Sequence, residues 1–224
     1  MFLFSCKKEV ETPKVIYENP SKVAIAAKVD TTKIEVADLP IQMEGTNYLL
    51  FPIGELSVSD KNYDASSRGN QLNYKVSNYS EYQITGYIRN LKIQQIGKDS
   101  IKTLTDKDVV IQSITYLKSI ATKTKQQILV YVLEDMDTNK DLTLDDNDIK
   151  CLYLSDISGN QFTKISLDFQ ELIDWNVVES MNRLYFRTIE DTDKNGEFDK
   201  KDKLHYHFID LSGKDWKVSD YNLN

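Results

Sequence analysis

Two twelve-residue stretches carry most of the side chains in this chain that suit metal or acid–base chemistry. Residues 137–148 read DTNKDLTLDDND, and residues 191–202 read DTDKNGEFDKKD. Side-chain oxygens recur at positions 1, 3, 5, 9 and 12 of each. In the first stretch these are Asp137, Asn139, Asp141, Asp145 and Asp148; in the second, Asp191, Asp193, Asn195, Asp199 and Asp202. Position 7, Thr143 or Glu197, would contribute a backbone carbonyl. A hard cation wants this pattern: Ca²⁺ takes roughly six to eight oxygens, and alternate residues of a curled loop aim at one centre. Both stretches are therefore expected to hold Ca²⁺; without an ion each is a solvated acidic turn. Position 6, where the turn is sharpest, is Gly196 in the second loop but Leu142 in the first. Position 12 is aspartate in both, a shorter reach than the bidentate glutamate usual there.

The likeness extends beyond the acids. QILVYVLE (127–134) precedes the first loop and RLYFRTIE (183–190) the second. CLYLSDISG (151–159) and HYHFIDLSG (205–213) follow them, with Asp156/Asp210, Ser158/Ser212 and Gly159/Gly213 in register. A self-match at fixed period reads as a repeated unit. An earlier, worn copy is legible in NYLLFPIG (47–54) and NLKIQQIGKDSIKTLT (90–105), giving three units at 46–105, 110–166 and 172–222. In that first copy a Ser/Asn/Tyr-rich insertion, 55–82, replaces the acidic loop, and long loops on a rigid sheet are where binding surfaces usually sit. Ahead of the first acidic loop, Ile128, Val130 and Val132 alternate with Leu129, Tyr131 and Leu133, which predicts a strand buried on both faces. The loops resemble the EF-hand calcium loop in spacing, yet each joins two strands. The helix-pair opening of EF-hand sensors is thus unavailable, and calcium would cap a hairpin as a structural ion.

The pattern of a strand, an acidic loop, L-Y-L-x-D-x-S-G and a short closing strand resembles the repeat of TolB-type β-propellers. Here it is carried by Leu152-Tyr153-Leu154, Asp156, Ser158-Gly159 and Ile165-Ser166, then by Tyr206-His207-Phe208, Asp210 and Ser212-Gly213. The resemblance implies an all-β fold of antiparallel, propeller-like sheets. Propellers usually close with four or more blades, and three are legible. Closure then needs strands from 14–44, a second copy of the chain, or an open stack.

Composition fits that class. The 224 residues include 13 tyrosines and are 40% hydrophobic and 28% charged, an ordinary globular balance. The net charge of −7 is local: seven acids and one base fall within 134–148, and six acids and four bases within 190–203. With the remainder near neutral there is no basic stripe for nucleic acid. No run is long and apolar enough for a membrane-spanning helix. Of the two cysteines, Cys151 reads as a packed thiol. Cys6, in MFLFSCKKEV, follows Leu3-Phe4-Ser5 and resembles the lipobox of bacterial lipoproteins, which implies lipidation of Cys6 and a signal that begins upstream. The expected organisation is a residual signal at 1–6, a flexible tether at 7–22 and one all-β repeat domain at 23–224. Acidic-loop repeats behind a Cys-Lys-Lys start resemble envelope lipoproteins of Bacteroidota-type bacteria. That resemblance implies a lipid-anchored protein of the outer membrane or cell surface.

Catalytic signals are sparse. His205 and His207 lie two apart on one strand and read as packing or surface residues before metal ligands. No nucleophile elbow or phosphate-binding glycine loop is present. Asp156 and Asp210 precede a Ser-Gly turn, where turn hydrogen bonding is expected. Trp175 and Trp216 read as core or inter-blade packing before ligand stacking. No catalytic residue is assigned. The leading expectation is a calcium-stabilised, non-enzymatic binding or scaffold lipoprotein with a protein or glycan ligand. The alternatives are an envelope hydrolase acting on glycan or peptide through a carboxylate or calcium-assisted site, and a subunit of a larger complex or oligomer.

Overall fold

Residues 128–133 are apolar at every position, and a strand with that sequence must bury both of its faces. It does: β7 (Ile128–Glu134) lies in the interior of the chain. The structure is a computed structural model that describes residues 14–17, 33–57 and 75–223. Around β7 run β1 (Lys33–Ala37), β2 (Tyr48–Ser57), β3 (Ser77–Ser80), β4 (Gln83–Gln95), β5 (Ile101–Thr103), β6 (Val110–Tyr116), β8 (Lys150–Asp156) and β9 (Thr163–Lys164). They form one sheet in the order β1-β2-β4-β6-β7-β8-β9, with β3 and β5 also paired to β4. A second sheet, β10-β11-β12-β13, is a simple meander of Gln170–Val178, Arg183–Glu190, Lys203–Asp210 and Val218–Asp220. The strand pairs in both sheets are antiparallel. The fold is all-β and open, with neither sheet closed into a barrel.

Strand alternation sorts the core into two layers. Leu129, Tyr131 and Leu133 of β7, with Cys151 and Tyr153 of β8, meet Leu50, Leu91 and Ile93 from the first half of the large sheet. Ile128 and Val130, with Leu152 and Leu154, meet Leu184, Phe186 and Ile209 of the second sheet. The large sheet can present two halves to one core because β4 is long and irregular. Residues 83–88 pair with β6 and 88–95 with β2, with register shifts between Thr85 and Ile88 and between Ile53 and Gly54. Bulges of this kind bend a sheet and sharpen its twist. The strands of residues 46–105 and 110–166 thus share one hydrogen-bonded sheet.

Short helix α1 (Lys118–Thr124) joins β6 to β7 and buries Ile120 and Ala121. Trp175 and Trp216 pack at the margin of the core between the sheets, as their sequence context predicts. Within 14–44, the described residues supply one strand, β1, which forms the edge beside β2. Cys6 and residues 58–74 of the insertion lie outside the described residues. The tether reading fails at one place. Residues 14–17 are built into the folded body, with Val15 only 2% exposed and part of the first core cluster.

Candidate metal centre

The first acidic loop connects β7 to β8 and the second connects β11 to β12. Their backbones are pinned by corresponding hydrogen bonds. At position 1, Asp137 Oδ2 accepts from the Leu142 N–H (3.0 Å), and Asp191 Oδ2 accepts from the Gly196 N–H (2.8 Å). At position 3, Asn139 Oδ1 accepts from Asp141 N–H (3.0 Å), and Asp193 Oδ1 from Asn195 N–H (3.2 Å). At position 12, Asp148 takes the Thr138 and Asp145 N–H groups (2.7 and 3.0 Å), and Asp202 takes those of Thr192 and Asp199 (3.0 and 2.8 Å). Positions 4 and 6 are left-handed in both loops: Lys140 and Leu142 at φ 59° and 71°, Lys194 and Gly196 at 57° and 86°. Leu142 therefore adopts the conformation that the second loop gives to glycine.

What the two curls do with their carboxylates differs. In the second loop, Asp191, Asp193 and Asp202 each place a carboxylate oxygen within 4.8 Å of the others. Calcium–oxygen bonds of about 2.3–2.6 Å put opposite donors about 5 Å apart, so one ion can touch all three. The Asp199 N–H first of all, then that of Thr192, holds the Asp202 carboxyl below the usual carboxylate range. Asp191 is buried at the base of the loop, and Asp193 is exposed. Among the described residues the first loop brings no such trio together, and there Asn139 Nδ2 donates to Asp141 Oδ2 (3.3 Å). It does carry an orphan: Asp137 Oδ1 is buried without a hydrogen-bond partner. A buried carboxylate oxygen in that state is costly unless a cation answers it. Both donor sets are hard oxygens, the class that suits Ca²⁺ and not a thiophilic metal.

Other predicted ligands are engaged elsewhere. Asp145 Oδ1 accepts from Asn147 N–H (2.9 Å), and Asp199 Oδ1 from Lys201 N–H (2.7 Å), so both position-9 carboxylates fold into their own turns. Asn195 Oδ1 takes the Glu197 N–H (2.7 Å), and Asp141 Oδ1 the Thr143 N–H (2.8 Å). Thr143 and Glu197 are exposed, which leaves their carbonyls as the natural contribution of position 7.

The chain matches no protein-family model, no curated protein and no solved structure.

The residues that sequence reasoning overlooked lie far upstream. The Lys14 and Val15 N–H groups donate to Gly196 O (2.8 and 3.3 Å), in the second loop. Ile16 N–H donates to Thr138 O (2.9 Å), in the first, and Thr138 Oγ1 returns a bond to Lys14 O (2.8 Å). Lys14 Nζ reaches Glu171 (3.1 Å), which also pairs with Lys150 (3.2 Å). The Tyr17 ring lies near Lys194 (6.0 Å) and Phe169 (6.1 Å). Burial, and next the Asp191 carboxylate, push the Tyr17 hydroxyl up to about 12. The available signal was the apolar run Val15-Ile16-Tyr17 inside an otherwise charged stretch.

The remaining candidates for catalysis are tied up. His205 Nε2 meets Glu190 (2.7 Å), while His207 lies between Asp220 (2.7 Å) and Thr188 (3.3 Å). The imidazoles stack 6.0 Å apart on one face of β12, each with its own carboxylate. Asp156 accepts from the Ser158 N–H and Asp210 from the Ser212 N–H (both 2.8 Å), the turn bonding their sequence predicts. Cys151 is buried and unbridged, and burial followed by the neighbouring Asp135 pushes its thiol up to about 12, which makes it a poor nucleophile. Asp135, unremarked in the sequence, is the hub of a polar cluster: Tyr153 OH (2.6 Å), Lys164 Nζ (3.0 Å) and Cys151 Sγ (3.3 Å) all approach it.

Proposed function

We propose that this chain is a calcium-stabilised, non-enzymatic binding or scaffold protein of a bacterial cell envelope, built from repeated β units and held to the membrane through lipidated Cys6. The convergence of Asp191, Asp193 and Asp202 in a loop pinned like its partner carries the calcium part. The ion's role would be to neutralise carboxylates that otherwise repel, so it stiffens two hairpins and switches nothing. The Leu3-Phe4-Ser5-Cys6 sequence supports the anchor, and the shared hydrogen bonds of the two loops support the repeat. Among the described residues, the carboxylates of Asp156, Asp210 and Asp135, the two imidazoles and the Cys151 thiol are committed to turns, ion pairs or the core, which supports binding over catalysis.

The test is thermal unfolding of the full chain, stripped of metal, across a calcium titration from micromolar to ten millimolar. Extracellular calcium modules bind at about 10⁻⁴–10⁻³ M, and a ligand at thirty times Kd stabilises by about 2 kcal/mol. For a chain of this length that is a rise of roughly 4–8 °C in Tm. Asp191→Ala should abolish most of the rise and Asp137→Ala should reduce it. A calcium-independent Tm would end the calcium reading and leave two acidic hairpin turns.

A further inference from the structure

Resting on the calcium reading, we infer that residues 14–17 form a strap that couples the two loops, so that an ion in either loop raises the affinity of the other. The strap contacts one carbonyl in each loop. Gly196 O, at position 6 of the second, receives Lys14 and Val15; Thr138 O, at position 2 of the first, receives Ile16. Both carbonyls belong to the curled backbone whose shape a bound cation would fix. The strap has its own anchors as well, Val15 in the core and Lys14 on Glu171, and neither of these is a loop ligand.

Two loops sharing one docked segment share the cost of being ordered. When an ion fixes the second loop, Gly196 O is held where the strap needs it. A docked strap then presents the Ile16 N–H and the Lys14 carbonyl to Thr138, beside Asp137 and under the Asp148 carboxylate that takes the Thr138 N–H. The first loop is thereby pre-ordered, and its ion meets a smaller entropic penalty. By linkage the effect runs equally in the other direction. Tyr17 extends the contact on the second loop, with its ring by Lys194 and its hydroxyl in the field of Asp191.

Isothermal titration of the full, metal-stripped chain with calcium tests this, using wild type, Asp137→Ala and Asp191→Ala. The same three are then repeated with Ile16→Pro, which deletes the N–H given to the first loop, and with Val15→Asp, which undocks the strap. Coupling within the usual range of roughly 5–150-fold is expected. Asp137→Ala should weaken calcium at the second loop at least fivefold in the wild-type strap, and by less than twofold once Ile16→Pro or Val15→Asp is present. Circular dichroism confirms that each variant is folded; should Val15→Asp unfold, Ile16→Pro alone decides. Sites that fill independently in the wild type overturn the strap, as does coupling that survives both strap changes, while calcium binding itself stands. No binding at either loop removes the calcium reading, and the coupling with it.

Discussion

Leu142 shows at the scale of one residue what repeating a loop without its glycine costs. It sits at φ 71°, where Gly196 sits at 86°, and it is 58% exposed, so its side chain gains little there. A left-handed non-glycine residue costs roughly 1–2 kcal/mol, whereas glycine gives back roughly 0.5–1 kcal/mol by freeing the unfolded chain. Leu142→Gly should thus stabilise by up to about 1 kcal/mol. Differential scanning calorimetry with and without calcium checks this; a lower Tm would show that the leucine side chain has a role its exposure hides. The sequence exposed this mismatch in advance, because a demand for positive φ is local and legible in the residue type. It did not expose Asp137 Oδ1 as an orphan, which depends on everything packed around the loop.

At the scale of elements, the same D-x-S-G sequence follows β8 and β12, but only its first copy places the glycine in the left-handed region and against the core. Gly159 has φ 73°, and a Cβ there would sit 2.6 Å from Ile93 Cδ1 and 3.3 Å from Leu104 Cδ1, across the first core. Around Gly213 the nearest atom to such a Cβ is Asp215 N at 3.9 Å. Gly159→Ala should therefore destabilise by about 2–4 kcal/mol, from backbone strain plus overpacking. Gly213→Ala should stay within about 0.5 kcal/mol of wild type. Chemical denaturation of the two variants side by side decides; equal effects would show that neither the left-handed backbone at Gly159 nor the side chains around it demand glycine there. Register brings out a second difference. Ile128 pairs with Asp156 and Arg183 with Asp210, so Ile128 and Arg183 hold corresponding places opposite the two D-x-S-G aspartates. In consequence Ile128, Val130 and Val132 correspond to Arg183, Tyr185 and Arg187. The face that is apolar and covered on β7 is amphipathic on β11, where Arg183 lies over Phe208 (4.4 Å) and Arg187 pairs with Asp174.

The molecule as a whole has a buried acid where its parts meet. Glu134, at the end of β7, is fully buried, accepts one bond from Gln112 (2.5 Å) and leaves Oε2 unpartnered. Burial pushes its carboxyl up to about 8; Glu171 adds to the rise, while Lys14 and Lys150 oppose it. Below the ordinary glutamate value both folded and unfolded states hold the proton. Between that value and about 8 only the folded state does, so this contribution to stability is lost as pH rises and levels off above about 8. Glu134→Gln, neutral throughout, should remove that part of the slope and be more stable than wild type at pH 8.5 by a few kcal/mol at most, roughly. Tm measured in chelator at pH 5.5, 7 and 8.5 tests it; parallel curves for the two proteins would place the titration elsewhere.

The sequence by itself determined the all-β class, the doubly buried strand ahead of the first loop, the turn role of Asp156 and Asp210, and the spacing of the loop oxygens. Each follows from alternation or turn chemistry within a dozen residues, where the local chain leaves little choice. Tertiary structure alone decided that the strands from β1 to β9 share a bent sheet, that three carboxylates converge in the second loop and not in the first, and that residues 14–17 belong to the body. Thr138 and Lys14 are 124 positions apart, and no periodicity links them. Their contact exists because two core layers carry both loops to one place, leaving backbone carbonyls that a short apolar segment can satisfy while it buries Val15.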